Sequence, residues 1–192
     1  MLEAALFSFP PSSSSSSPSR PIILAGCSRG AATTLVSVLR IYHEKPELLA
    51  RVKGVVLEAP FADLPATVKF RYGILSPIVM KGLEILTNYK FGGYPSPLEH
   101  AEKYKWPTHI PVMIIRSKAD EIVPPEGTKQ LIDALRDNRN NSGISLMEVL
   151  LARSCHSSMA IDDDSDVQLY KQSMAEFLRL ALFRDYPDLF SH

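Results

Sequence analysis

Residues 22–30 read Ile22-Ile23-Leu24-Ala25-Gly26-Cys27-Ser28-Arg29-Gly30, an apolar run followed by the pattern Gly-x-Ser-x-Gly. A short continuous apolar run between a proline and a glycine is typical of a strand buried on both faces of a parallel sheet. Beyond the pattern, apolar residues recur with the helical period at Leu35, Val38, Leu39 and Tyr42. The stretch therefore predicts a strand, a tight turn that contains Ser28, and a helix.

The rest of the chain repeats this alternation of strands and helices. Further buried-strand patterns occupy 55–57, 112–115 and 144–151, and helical patterns occupy 125–136 and 166–183. Strands that alternate with helices are joined by right-handed crossovers and form a mostly parallel sheet with helices on both faces. The sequence predicts an α/β fold of this kind.

Two segments depart from the alternation. Residues 1–20 contain six consecutive serines flanked by prolines, which predicts a disordered tail, with organelle targeting as the alternative. Residues 21–192 form the predicted domain, and 61–106, rich in proline, glycine and aromatic residues, form a lid-like insertion within it. We expect Asp63 to cap a short helix of this insertion.

Composition excludes several classes of protein. The 192 residues carry 21 Lys and Arg against 21 Asp and Glu, so no net charge favours nucleic acid as a partner. No apolar run reaches the roughly 18 residues of a membrane span. Two cysteines are too few for a disulfide scaffold, and we expect a cytoplasmic protein.

Three polar residues follow the ends of predicted strands, in the order Ser28, Asp120, His156. Open α/β sheets place their sites at this edge. Gly26 and Gly30 would leave room for a cramped turn at Ser28, and a serine needs a base, itself held in place, to act as a nucleophile. Asp120 could instead cap the following helix, and His156 could be an ordinary loop histidine.

No metal site or cofactor is expected. The acidic run 162–164 is interpreted as a solvated turn before the last helix, because no complementary ligand cluster accompanies it. Cys27 and Cys155 directly precede Ser28 and His156, which raises the hypothesis that the two thiols pair.

These motifs resemble the α/β-hydrolase family, in its serine esterase and prolyl oligopeptidase-like branch. The resemblance is carried by 26–30, 57–61, 117–124 and the His156 loop, and covers about residues 21–183. It implies Ser28 as nucleophile, His156 as general base and then acid, Asp120 as the group that orients His156, and the Arg29 backbone N–H as an oxyanion donor. The implied reaction is hydrolysis of an ester, thioester or peptide-type acyl bond in a small molecule or peptide, through an acyl-enzyme.

The resemblance covers only the C-terminal portion of the family's fold. Members place several strands before the one that leads to the nucleophile, whereas a Ser/Pro-rich tail stands there in this sequence. We therefore expect a truncated domain in which the strand at 22–25 is an open sheet edge, available for self-association. The alternative function is a catalytically weak or inactive binding protein, or a fragment, that associates through this edge.

Overall fold

A computed structural model of the chain describes residues 20–88, 90, 95–137, 143–156, 159, 161 and 163–183. The predicted tail, except for Arg20, lies outside the described residues. So do 91–94 of the lid-like insertion, Asp162 of the acidic run and the C-terminal residues 184–192.

The described residues form one four-stranded parallel sheet. Its strands are β1 (Ile22–Cys27), β2 (Val52–Glu58), β3 (Val112–Ser117) and β4 (Leu146–Leu151), and they lie in the order β1-β2-β3-β4. Every predicted strand is present, and each overlaps the apolar run that predicted it. The prediction of a parallel α/β fold is confirmed.

Six α-helices connect or follow these strands in the described part of the chain. They are α1 (Arg29–Glu44), α2 (Leu64–Tyr72), α3 (Ser76–Thr87), α4 (Pro97–Lys103), α5 (Pro125–Asp137) and α6 (Asp164–Leu182), with 3₁₀ turns at Pro46–Leu49 and Gly73–Leu75. Asp63 caps α2, as predicted, by accepting a hydrogen bond from the Ala66 N–H at 2.7 Å. None of these helices is both long enough and apolar enough to pass through a bilayer.

The two faces of the sheet are covered by different helices. Val112 and Ile114 of β3 pack into a core with α1 and α5, which contribute residues such as Leu35 and Leu131. Met113 and Ile115 point to the other face and pack with Phe177 of α6. Since successive side chains of a strand point to opposite faces, continuous apolar runs are the pattern that a doubly covered sheet requires.

The edge strand β1 is less buried than its neighbour β2. No residue of β1 is fully buried, and the side chain of Ile22 is 36% exposed, whereas Val55 and Leu57 of β2 are fully buried. Ile23 and Leu24 reach the cores on opposite faces. In the sheet of the described residues β1 is thus an open edge with apolar side chains on both faces, as the sequence predicted.

Helices α2 and α3 form a hairpin on the surface with a largely apolar outer side. Ile74 at its turn is 93% exposed and Leu86 near its end is 85% exposed. The hairpin's exposed large apolar side chains are Phe70, Tyr72, Ile74, Leu75, Ile78, Ile85 and Leu86. Within the hairpin only Thr67 and Val68, both in α2, are buried.

Candidate active site

Ser28 lies in a strained turn between β1 and α1. Its φ angle is 52°, a value that non-glycine residues adopt rarely and at a cost of about 1–3 kcal/mol. Two backbone hydrogen bonds hold the turn: the Ser28 N–H donates to the Glu58 carbonyl at 2.7 Å, and the Ala32 N–H donates to the Ser28 carbonyl at 3.0 Å. The backbone therefore turns sharply at Ser28, between the end of β1 and the start of α1.

Of the two glycines that flank Ser28, only Gly26 is required for space among the described residues. A Cβ atom on Gly26 would lie 2.6 Å from the backbone carbonyl of Gly30 and 2.7 Å from the Ala31 nitrogen, closer than atoms can approach. A Cβ on Gly30 would meet nothing within 4 Å. Among the described residues, the turn thus leaves no space for a side chain at Gly26, whereas position 30 faces open space.

Asp120 and His156 form a buried pair, joined by a hydrogen bond of 2.8 Å between Asp120 Oδ2 and His156 Nδ1. The other carboxylate oxygen, Oδ1, accepts from the Ile122 and Val123 N–H groups at 2.9 and 2.8 Å. These bonds lie in the loop after β3, and α5 begins beyond it at Pro125. Asp120 is therefore a partner of His156 and not the cap of the following helix.

The loop that leads to His156 is held by Asp166, a residue that sequence reasoning missed. Its buried carboxylate accepts from three consecutive backbone N–H groups, those of Ala152, Arg153 and Ser154, and from the Ser154 hydroxyl. Burial alone raises the pKa of Asp166, but these hydrogen bonds outweigh it and bring the pKa down from 3.8 to about 2. The carboxylate is therefore ionised at neutral pH.

Ser28 and the Asp120–His156 pair lie beyond the C-terminal ends of strands at the same edge of the sheet. Ser28 follows β1, Asp120 follows β3 and His156 follows β4. Asp120 and His156 are brought into contact, but no hydrogen bond joins the Ser28 hydroxyl to His156 among those of the described residues. Catalytic hydrogen bonds are often long in unliganded enzymes and tighten when substrate binds.

Cys27, next to Ser28, is a poor nucleophile in these surroundings. Desolvation of its thiol, followed by the negative charges of Glu58 and Asp120, raises the pKa of Cys27 above 9.0, although its side chain reaches the surface. The thiol is therefore protonated at neutral pH, and the thiolate is the reactive form. No disulfide joins Cys27 to Cys155 in this structure, so the hypothesis that the two thiols pair is wrong for it.

Glu58, at the end of β2, links the Ser28 turn to α6. Its carbonyl accepts the Ser28 N–H, and its carboxylate accepts a hydrogen bond from the Tyr170 hydroxyl. Desolvation and this hydrogen bond raise the pKa of Tyr170 well above its ordinary value, so the phenol remains a donor. Tyr170 thus supports the serine turn from the face of the sheet opposite to α1.

A cleft of about 390 Å³ opens beside Arg29, the first residue of α1. Its walls are mainly apolar, and its lining includes Ala32 and Val36 of α1, Phe61 and Leu64. Two larger clefts, of about 590 and 560 Å³, are lined by the end of α1, by α4 and by α5, away from the loops of Ser28, Asp120 and His156. The described residues contain no group of three or more His, Cys, Asp or Glu side chains suited to a metal ion.

The sequence matches one known protein family. Residues 19–181 match the prolyl oligopeptidase family, peptidase family S9. The chain belongs to the prolyl oligopeptidase family. No curated protein matches the sequence.

Solved structures of peptidases and of an esterase share the fold. They include an acylaminoacyl peptidase of Pyrococcus horikoshii (17% identity, TM-score 0.60, 85% of this chain and 24% of that chain). A puromycin-hydrolyzing peptidase of Mycobacterium tuberculosis matches at 18% identity and a TM-score of 0.53, over 83% of this chain and 22% of that one. An esterase of Pyrococcus furiosus matches at 18% identity and a TM-score of 0.54, over 83% of this chain and 53% of that one. The chain has the α/β-hydrolase fold and spans about a quarter of the length of the two peptidases.

Proposed function

We propose that this member of the prolyl oligopeptidase family is a serine hydrolase that cleaves ester, thioester or peptide-type acyl bonds through an acyl-enzyme on Ser28. The observation that carries the proposal is the buried hydrogen bond between His156 and Asp120, at the same sheet edge as the strained Ser28 turn. A base oriented by a buried carboxylate is what a serine hydroxyl needs in order to react at neutral pH.

The proposed reaction begins with proton transfer from Ser28 to His156. Because the Asp120 carboxylate accepts from Nδ1, the proton of the neutral imidazole lies on Nδ1 and Nε2 keeps its lone pair. Nε2 takes the hydroxyl proton as the Ser28 oxygen attacks the acyl carbon. His156 then protonates the leaving alcohol, thiol or amine, and the resulting acyl-enzyme is hydrolysed by a water molecule that His156 activates.

The negative oxygen of the tetrahedral intermediate is assigned to the N-terminus of α1. The first N–H groups of a helix have no partner within the helix, so the Arg29 N–H is available to an oxyanion beside Ser28. One such donor contributes about 2.7–4 kcal/mol to transition-state stabilisation, roughly 10²- to 10³-fold in rate.

The cleft beside Arg29 supports a substrate with an apolar group close to the scissile bond. Its volume of about 390 Å³ lies within the usual range for small-molecule sites, roughly 300–1,000 Å³. The named activities of the structural neighbours, on acylated amino acids, puromycin and esters, support an acyl substrate of this kind. No cofactor enters the proposed chemistry.

Covalent labelling by a fluorophosphonate probe tests the proposal. The wild-type chain should label, while Ser28→Ala and His156→Ala should not. Ser145→Ala is the control, because Ser145 precedes β4 and so lies at the amino ends of the strands, whereas the candidate site lies at their carboxyl ends. Folded wild-type protein that never labels would contradict the proposal.

The open edge at β1 favours a second candidate function, association with another polypeptide through an added strand. An exposed, partly apolar edge strand is a template for this mode of binding. Sedimentation of the chain over a range of concentrations tests it. Ile22→Lys should shift the equilibrium toward monomer, whereas Leu48→Lys, at an apolar residue that is more exposed than Ile22 (62% against 36%) and lies outside the sheet, should not. A monomer at every concentration would argue against self-association.

A further inference from the structure

We propose that Asp166 is a positioning residue for His156, which sets the place of the catalytic ring through the loop 152–154. The proposal rests on the hydrolase function proposed above. It assigns a role to a carboxylate that belongs to a different element, α6, and that touches neither Ser28 nor the Asp120–His156 pair.

Four hydrogen bonds join the loop 152–154 to the carboxylate of Asp166. Asp166 Oδ1 accepts from the Ala152 N–H at 2.9 Å, and Oδ2 accepts from the Arg153 and Ser154 N–H groups at 2.8 Å each and from the Ser154 hydroxyl at 2.9 Å. Three consecutive N–H groups can converge on one carboxylate only if the backbone curls around it. The loop conformation is therefore specified by Asp166.

The position of His156 depends on this curl. The loop leaves β4 after Leu151, whose carbonyl accepts the Lys118 N–H at 3.0 Å, and His156 follows Ser154 by two residues. Asp166 thus fixes the backbone between the end of the strand and the histidine. Asp120 is held separately by the Ile122 and Val123 N–H groups. It therefore pairs with a His156 ring whose position the loop already fixes.

An ordinary helix cap does not explain the Asp166 contacts. The cap of α6 is Asp163, whose carboxylate accepts from the Ser165 and Asp166 N–H groups. The Asp166 side chain turns away from its own helix toward the loop and is only 3% exposed. Burying an ionised carboxylate is costly unless it is fully hydrogen-bonded, and the loop supplies those bonds.

The test compares Asp166→Asn with a matched control, Asp164→Asn, in the full chain. Both variants remove one negative charge from the first turn of α6, but Asp164 is exposed. Three properties are measured on folded protein: the rate of fluorophosphonate labelling, kcat and KM for a p-nitrophenyl ester, and the ¹H NMR signal of the His156 Nδ1 proton. Circular dichroism confirms folding at the assay temperature.

We expect Asp166→Asn to lower the labelling rate and kcat by about 10- to 100-fold, since small misplacements of catalytic groups have effects of this size. KM should stay unchanged, and the Nδ1 proton signal should broaden or disappear through exchange with water. Asp164→Asn should behave as wild type. A folded Asp166→Asn protein with wild-type rates and an intact proton signal would overturn the proposal.

Two further outcomes are distinguishable. If the wild-type chain never labels, the hydrolase function fails, and the proton signal still decides whether Asp166 positions His156: its loss in Asp166→Asn supports positioning and its persistence overturns it. If Asp166→Asn does not fold, Ser154→Ala replaces it, because this variant removes only the Ser154 hydroxyl from the set of bonds. A fall in the labelling rate of Ser154→Ala, smaller than the fall expected for Asp166→Asn, supports the proposal. An unchanged rate contradicts it.

Discussion

The candidate site has two halves that are secured in different ways. The histidine half, Asp120, His156 and Asp166, is buried, and each carboxylate accepts several hydrogen bonds. The serine half, Gly26 and Ser28, lies at the end of an edge strand and depends on a strained backbone turn. The histidine half therefore depends on hydrogen bonds to charged carboxylates, whereas the serine half depends on the steric fit of a backbone turn. Substitutions that change only charge or only volume should separate the two.

Asp120→Asn changes charge without volume, and we expect the largest effect from it. An amide in place of the carboxylate presents the wrong partner to Nδ1, and this substitution in a serine-protease triad lowers kcat by about 10⁴-fold. Steady-state hydrolysis of a p-nitrophenyl ester measures the loss. Asp133→Asn on the exposed side of α5 is the control and should keep wild-type kcat. A loss below tenfold would show that His156 works without its charged partner.

Gly26→Ala changes volume without charge. Its Cβ would overlap the Gly30 carbonyl at 2.6 Å, so the turn must move, which should lower the free energy of unfolding by about 1–3 kcal/mol and slow labelling of Ser28. Gly30→Ala is the matched control within the same motif. It meets no atom and adds helix propensity, so stability should rise by up to about 1 kcal/mol. Urea denaturation measures both. Equal effects of the two substitutions would contradict the assignment of Gly26 as the constrained glycine.

Asp166 makes the stability of the histidine half depend on pH. Its pKa of about 2 in the folded chain lies below its ordinary value of 3.8, so its contribution is complete above 3.8 and is lost as pH falls toward 2. We expect Asp166→Asn to lower the unfolding free energy by about 2 kcal/mol at neutral pH. In urea denaturation the difference from wild type should shrink across this acid range. A difference that is constant with pH would mean that the Asp166 charge is not involved.

Tyr170→Phe tests the support of the serine half and should have the smallest effect. It removes the hydroxyl that donates to Glu58, which should lower the unfolding free energy by about 1 kcal/mol. Thermal unfolding followed by circular dichroism measures the change, with the exposed Tyr72→Phe as control. If Glu58 steadies the Ser28 turn, labelling should also slow slightly in Tyr170→Phe alone.

The sequence was sufficient to predict the sheet, because strands buried on two faces leave continuous apolar runs. The strand ends also predicted that Asp120 and His156 lie at one edge of the sheet, because the carboxyl ends of parallel strands share that edge. That the two side chains pair was implied by the resemblance to the α/β-hydrolase family. The open edge at β1 followed from the resemblance to a longer fold.

The sequence pattern did not predict the contacts of Asp166 or the steric constraint at Gly26. Asp166 is one of several acidic residues at the start of α6, and nothing in the sequence tells which of them turns toward the loop before His156. A carboxylate in the first helical turn just after a candidate histidine loop is a signal for a contact of this kind, but Asp164 and Asp166 both match it. In the same way, the Gly-x-Ser-x-Gly pattern does not say which glycine is sterically required.

The apolar outer side of the α2–α3 hairpin affects how the chain should be handled. Side chains such as Ile74 and Leu86 are largely exposed in the folded molecule, so a fluorescent dye that detects exposed apolar surface will bind the native chain. The dye's signal will start high and will not report unfolding faithfully. Circular dichroism or the intrinsic fluorescence of the buried Trp106 is therefore the appropriate readout for the stability measurements. A mild detergent in the buffer should limit losses to plastic and column matrices.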